Sequence, residues 1–452
     1  MQRKIFGAII LLSISFFSCQ KINFWQDADG NPHGHLKQTK TFSSDVVIKW
    51  AEMQVKLMMA NPTATGNAAF SRHYAYTGVA LYEAVVGGMP SYKTLSRRLN
   101  GLTGLPQNQP GYAYHWAASA NAALAEMNRK LFPTASDANK ELITKLEDSL
   151  NAVFAASSDE TTMQRSVSFG KEIAQKIFEW SETDGYQHAN DPYTAPADKV
   201  GPAFWAPPAT PSIQSLPYWG KLRRMVPGSG NGADLPAPPA YSTASGSEFH
   251  NMVSEVYNAT PAMGSPERAM AFHWRDVPGT TTPGHYVSIL KQVLEMEKPS
   301  LDLAAVAYAM GGIMVFDASI STWKTKYDYL LVRPIVYIQN VLGHTTWTST
   351  LGTPPHPEYP SAHSSLSAAN AEAMTLVFGE NFAFEDHTFD YLYNPAVDPL
   401  MFKYRSYPSF SAAASEAGVS RMYAGIHYMK SIEMGLLQGK KVADNIRKSL
   451  MK

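Results

Sequence analysis

The sequence predicts an all-α fold. Long stretches place apolar residues at helical spacing, the same stretches are rich in Ala, Leu, Met, Glu and Lys, and no convincing run of alternating strands separates them. With 452 residues and 45% hydrophobic content the chain can bury a large core, in one big domain or two fused ones.

From the N-terminus, a basic segment (Arg3, Lys4) precedes the apolar run Ile5 to Phe17, which is too short to span a bilayer as a stable helix and sits where a secretory signal does. Its ending, Phe16-Phe17-Ser18-Cys19, looks like a bacterial lipobox, in which the cysteine is lipidated and becomes the mature N-terminus. Cys19 is the only cysteine, and an exported chain with no second one has no obvious disulfide use for it. The plainer alternative is an ordinary signal peptide with an incidental cysteine. Residues 1–19 thus read as a lipoprotein signal, and polar residues 20–40, with Gly30, Pro32 and Gly34, as a flexible tether. The body would be soluble but anchored to a bacterial membrane, periplasmic or at the cell surface.

Predicted helices follow near 44–60, 67–88, 112–131, 136–155 and 158–182. A connection over 184–247 is dense in Pro, Gly and aromatics. A disordered linker should be poor in large apolar side chains, whereas this one carries Phe204, Trp205, Tyr218, Trp219 and Met225; it reads as an ordered segment wrapped over the helical body. Helices resume near 284–297, 300–322, 325–341, 361–379, 410–427 and 430–450. A loop over 343–360, holding Pro354-Pro355-His356-Pro357, delivers the chain to Ser361. Thirty-eight basic residues balance 38 acidic ones, so nothing suggests a nucleic-acid partner or a polybasic membrane surface.

Three short segments in the last third carry the chemistry. Lys326 and Arg333 are seven residues apart, about two helical turns, which predicts both cations on one face of one helix, kinked at Pro334. Such a pair alone would read as a solvated basic face. Here the neighbours are Trp323, Tyr327, Tyr329, Leu330, Leu331 and Val332, so the helix is largely buried and its cations need an anionic partner.

The second segment, Pro360-Ser361-Ala362-His363, reads as a helix start with Ser361 as N-cap and Leu366, Ala369 and Ala373 following at helical spacing. The free N–H groups and positive dipole end there favour an anion. In the third segment Arg421 can fork two oxygens with parallel hydrogen bonds, Gly425 permits close approach, and His427 offers an imidazole nitrogen to a central phosphorus or metal atom. Each segment alone fits a structural role; together, in this order, they supply the donors and charge a buried oxyanion requires.

These segments resemble the vanadium-dependent haloperoxidases, which share an anion site with type 2 phosphatidic acid phosphatases and bacterial acid phosphatases. The family's Lys, six residues, Arg-Pro matches Lys326 through Pro334; its PSGH motif matches Pro360 through His363; its SRxxxGxH motif matches Ser420 through His427. Pro208 to Pro227, Trp274 through His285, Asp317 followed by Trp323 and Lys326, and Arg72 to Val85 are similar to bacterial haloperoxidases, so the resemblance covers about 44 to 450.

It implies two packed helical bundles, over 41–183 and 248–452, with the anion site in the second and the first as candidate homodimer surface. It implies vanadate as the whole cofactor, with no haem. Lys326, Arg333 and Arg421 would balance its equatorial oxygens, Ser361 would donate its hydroxyl and Ala362 its backbone N–H. His427 would coordinate vanadium, and His363 would act as acid/base. Vanadium would then polarise bound peroxide toward halide, with Lys326 sharpening the polarisation. Trp323 and His356 would line the halide pocket, and a histidine at the latter position leans toward bromide or iodide over chloride. The product, a hypohalous species, would halogenate or oxidise a small organic acceptor.

Two positions depart from the pattern. Ala362 stands where the family has Gly, so its methyl would clash if the backbone needed φ > 0. Ser431 stands where an Asp usually orients the ligand histidine, leaving Glu433 or Asp317 as candidate replacements. Two alternatives stay open: a vanadium-free acid phosphatase in which His427 forms a phosphohistidine and His363 protonates the leaving group, and a surface lipoprotein that only binds an oxyanion.

Overall fold

The computed structural model describes residues 37–60, 67–207, 215–277, 280 and 282–451. The expected signal with Cys19, and the tether up to residue 36, lie outside the described residues. The chain is already docked at Lys37, whose carbonyl accepts the Trp116 indole N–H at 2.7 Å, just ahead of the expected tether end at residue 40.

The fold is all-α, with thirteen α-helices among the described residues. They are α1 (Asp45–Met59), α2 (Asn67–Val85), α3 (Trp116–Leu131), α4 (Asp137–Ala155), α5 (Glu160–Ser181), α6 (Glu248–Asn258), α7 (Pro266–His273), α8 (Thr282–Glu297), α9 (Leu301–Tyr329), α10 (Pro334–Asn340), α11 (Ala362–Phe378), α12 (Phe410–Tyr423) and α13 (Met429–Leu450). Ser136, Asp159, Ser247, Ser265, Ser361 and Ser409 each accept a backbone N–H from the first turn of the helix they cap, satisfying a group the helix cannot. Helices α6 and α7 are additions to the sequence expectation. Both are short, but α7 carried its signals: Ser265 as cap and Pro266 at the first helical position.

A second addition is an antiparallel hairpin, β1 (Phe384–Asp386) and β2 (Arg405–Tyr407), with Asp386 opposite Arg405. Strands of three residues are too short for alternation to show in sequence.

Helix α9 is the axis. It is apolar on all sides and long enough to cross a bilayer by composition, yet almost all of it is enclosed by protein. Helix α2 crosses it closely because Gly312 has no side chain: a Cβ there would stand 2.6 Å from the Ala75 Cα. On the other side α11 packs between α9, α12 and α13; a Cβ on Gly439 of α13 would meet the Ser365 carbonyl. One apolar core runs from Val46 of α1 to Leu450 of α13. The Pro/aromatic connection is ordered where described, with Trp219 fully buried and its indole N–H donating to Ser319 Oγ on α9 at 2.9 Å.

Candidate oxyanion site

The expected single helix carrying Lys326 and Arg333 is two helices. α9 ends at Tyr329, Leu330 takes a left-handed conformation (φ 50°), and Arg333 is extended (φ −75°, ψ 148°). A residue preceding proline avoids the α region, and Pro334 is well placed as the first residue of a new helix, so the proline marks a break instead of a kink. Lys326 therefore reaches the site from the last turn of α9, and Arg333 from the cap of α10. Likewise α12 stops at Tyr423, Gly425 turns the chain with φ 77°, and His427 lies between α12 and α13, not on the helix expected to reach it.

All the expected polar residues nonetheless converge. His356, Ala362, His363, Arg421, His427 and Trp323 line one small, partly open cavity. Lys326, Arg333 and Ser361 stand behind this lining, themselves buried.

Each cation is held. Lys326 Nζ donates to the carbonyls of Pro357 (2.9 Å), Glu358 (2.9 Å) and Pro360 (2.6 Å), which uses all three ammonium protons and ties the loop before Ser361 to α9. Arg333 donates from Nε to the His356 carbonyl (2.9 Å), from Nη2 to His356 Nδ1 (3.1 Å), and from Nη1 to the Ile426 carbonyl (2.9 Å) and His427 Nε2 (3.2 Å). Arg421 donates from Nη1 to the Trp274 carbonyl at 2.8 Å, while its Nε is buried without a partner.

The two histidines have assignable tautomers, because a carboxylate or a carbonyl only accepts. His427 Nδ1–H donates to Glu358 Oε1 at 2.7 Å, leaving a lone pair on Nε2, toward which Arg333 points. His363 Nε2–H donates to the Trp274 carbonyl at 2.9 Å, with Thr282 Oγ1 at 3.0 Å and Asp276 Oδ1 at 3.6 Å, which leaves the lone pair on Nδ1. Burial, then the Arg421 charge, pushes His363 down to about 3 against the opposing pull of Asp276, so it is neutral at physiological pH. His427 and His356 are likewise held well below the ordinary imidazole range by burial first and by neighbouring cations second.

Glu358 is the functional residue the sequence reading missed. It accepts from His427 Nδ1, from the Tyr428 backbone N–H (3.0 Å) and from Ser431 Oγ (2.5 Å). Neither candidate replacement does this: Glu433 is exposed, and Asp317 accepts the backbone N–H groups of Met225 (2.7 Å) and Val226 (3.0 Å) on the far side of α9. Ser431 thus serves the carboxylate that orients His427. The signal was an acid inside the proline loop, three residues before Ser361. Burial pushes the Glu358 carboxyl up to about 7, against the lowering by Arg333, Ser431 and Lys326.

Ser361 caps α11, accepting the Ser364 N–H at 3.4 Å, and its own N–H donates to the Ser431 carbonyl at 3.0 Å. Ala362 is the first residue of α11 with ordinary helical backbone, so the methyl meets no requirement for positive φ. Trp323 packs its ring 5.2 Å from that of His356, and its indole N–H is buried without a partner beside the cavity.

The electrostatics lean one way. Lys326, Arg333 and Arg421 are buried, and among the described residues the only carboxylate as deeply buried beside them is Glu358; Asp276 is 20% exposed. Burial, foremost, holds Lys326 well below its ordinary value, Arg333 down to about 10 and Arg421 below the usual guanidinium range. A bound anion would reverse that penalty. The donors, one orphaned guanidinium N–H among them, suit an oxyanion.

Residues 342–452 match the family model of the VCPO second helical-bundle domain. Among solved structures, the chain is similar to the first bacterial vanadium-dependent iodoperoxidase, with 29% identity, 90% of this chain and 97% of that chain covered, and a TM-score of 0.77. It is similar in fold to a bacterial vanadium-dependent chloroperoxidase in its apo form, with 15% identity, 87% and 96% covered and a TM-score of 0.60. The holo form of a bacterial vanadium-dependent chloroperoxidase gives 16% identity, 88% and 94% covered and the same TM-score of 0.60. No curated protein matches.

Proposed function

We propose that the chain is a vanadium-dependent haloperoxidase, as the matching second helical-bundle domain and the similarity to a bacterial iodoperoxidase support, and that it binds orthovanadate and oxidises bromide or iodide with hydrogen peroxide to a hypohalous species. The observation that carries this reading is the excess of buried positive charge around His427 Nε2, a ligand nitrogen whose lone pair is set by Glu358. The residues fit the group: Arg421 Nε awaits an acceptor, and the cation set is unbalanced without an anion. When bound, vanadate supplies a Lewis acid that activates peroxide toward halide.

The protein's own residues do the rest. Arg333 and Arg421 carry the anion's charge, with Ser361 Oγ and the Ala362 N–H at the start of α11 as further donors. Lys326 contributes its charge from behind the loop it ties down, and one of its three carbonyl partners would yield if its ammonium turned to the anion. His427 offers Nε2 because Glu358 holds Nδ1–H; such support orients a ligand imidazole and raises its basicity. His363, neutral and with Nε2–H fixed, presents Nδ1 to take and return a proton. Trp323, with its unpaired indole N–H, and His356 form the wall where a halide would rest. The lipobox-like ending Phe16-Phe17-Ser18-Cys19 supports, from sequence alone, a lipid anchor at Cys19 on a bacterial membrane.

Reconstitution of the body with orthovanadate tests this, measuring peroxide-dependent bromination and iodination beside phosphate-monoester hydrolysis without vanadium. Halogenation that disappears in His427→Ala is the expected result. Hydrolysis alone would make the chain a phosphatase, with the His427 Nε2 lone pair as nucleophile; neither activity would leave an oxyanion-binding protein.

A further inference from the structure

A second buried histidine–carboxylate cluster lies behind His363. Asp386 on β1 accepts from His273 Nε2 at 2.9 Å and from His285 Nε2 at 2.6 Å, both on its Oδ2. Its Oδ1 accepts from the Thr388 N–H (3.0 Å) and hydroxyl (2.6 Å). The three residues have the types of a metal site and lie close enough together to suggest one. The spacing says otherwise: ligand atoms around a tetrahedral zinc with bonds of about 2.0–2.1 Å stand roughly 3.3 Å apart. Here two imidazoles donate to one oxygen at hydrogen-bond distances, and the carboxylate is saturated.

What the cluster holds is Trp274. His273, the last residue of α7, is its chain neighbour, and His285 of α8 stacks on its indole at 4.5 Å and 27°. From the opposite side the Trp274 indole N–H donates to Glu416 Oε1 at 3.1 Å; Glu416 is gripped by Arg405 (2.5 and 2.6 Å) and the Tyr407 hydroxyl (2.7 Å) of β2. The β1–β2 hairpin therefore clamps Trp274 through both strands. Trp274 caps the end of an eight-residue helix, so its carbonyl has no helical partner and points where these side chains hold it. That carbonyl receives both His363 Nε2 and Arg421 Nη1.

We propose that Asp386 is a positioning residue for His363, acting through His273, His285 and the Trp274 carbonyl. The inference rests on the haloperoxidase reading only for its kinetic consequence; the geometric consequence belongs to the anion-free protein. With the carbonyl fixed, His363 keeps Nε2 protonated and Nδ1 turned to its task. With the clamp loosened, Nε2 loses the fixed carbonyl it meets at 2.9 Å, and the tautomer is less tightly specified.

Histidine-selective ¹⁵N NMR of the anion-free protein reads this directly, with the His363 signal assigned by its loss in His363→Gln. The wild type should show a single neutral Nε2–H tautomer at pH 7. Asp386→Asn, with near-ultraviolet dichroism retained, should show a tautomer mixture at His363. In the vanadate-loaded enzyme the same variant should lower kcat by about tenfold to a hundredfold, the usual effect of losing a supporting partner, while KM for halide holds. In a His363→Gln background it should lower the residual rate less than about twofold, because residues acting as a unit are not additive. Should Asp386→Asn fail to fold, Trp274→Phe keeps the stacking, loses the Glu416 bond, and should give the same NMR change in smaller degree. An unchanged His363 signal and kcat would overturn the proposal. So would an equal loss in both backgrounds, or one equivalent of divalent metal bound to the wild type and missing from Asp386→Asn. If the wild type oxidises no halide yet its His363 tautomer responds to Asp386→Asn, the haloperoxidase reading fails and the positioning role stands.

Discussion

Two buried clusters pair histidine with carboxylate, and their charges behave oppositely. At Asp386, burial pushes the carboxyl up, but His285 and His273 more than offset it and leave the group well below the ordinary range. At Glu358, burial prevails and the carboxyl sits near 7, while the cations around it are also displaced against their charged forms. One cluster is complete in itself; the other holds more buried charge than its own members neutralise. A complete cluster can serve as a fixed point for its neighbours, whereas an incomplete one is built to receive something. By the sign of the imbalance, such a site suits an anion.

The sharpest way to break this comparison is His427→Ala. It should lower vanadate-dependent bromide oxidation on the order of a thousandfold, the scale at which a metal-held or charge-stabilised step fails, while dichroism stays native. Retained activity would mean that the unbalanced cluster is not the reaction centre.

Glu358→Gln should cost about tenfold to a hundredfold in kcat, since the amide no longer enforces the His427 tautomer. Ser431→Ala, which removes only one of the carboxylate's three donors, should cost a few-fold at most. Equal losses would show that Glu358 acts through general stability.

Orthovanadate at a hundred times its Kd should raise stability by about 2.7 kcal/mol, read from thermal melts across a concentration series. The increment should vanish in Arg421→Ala and be undone by dialysis. An increment in that variant as large as in wild type would remove Arg421 from the anion's partners.

Acid should expose His363. Its folded value of about 3 lies below the unfolded value of about 6.5. Between the two, the unfolded chain binds more protons, so stability rises with pH through that window and is lost as pH falls from 6.5 toward 3. Denaturant titrations at pH 7 and pH 4.5 should show His363→Gln losing about 2 to 3 kcal/mol less than wild type on acidification.

The smallest effect should come from Ala362→Gly. Because Ala362 is already helical, glycine there should destabilise by about 1 kcal/mol or less and leave kcat within a few-fold. A large gain in activity would show that the methyl crowds the anion.

Much of this was legible in sequence. Helical spacing, the Ser361 cap and the ordered trio of motifs are local patterns set by neighbours within a turn or two, and they identified the all-α class and the polar residues that the fold gathers around one cavity. Local spacing misled where a backbone preference overrode it: seven residues suggested one face for Lys326 and Arg333, but the residue before Pro334 cannot stay helical without strain. What only the tertiary structure decided are contacts between distant segments. His427 meets Glu358 across 69 residues, His273 meets Asp386 across 113, and Arg421 meets the Trp274 carbonyl across 147. The sequence by itself determined which groups could bind an anion. Packing around α9 decided which carboxylate orients His427 and which carbonyl holds His363, because a hydrogen bond between remote segments leaves no periodicity in the chain.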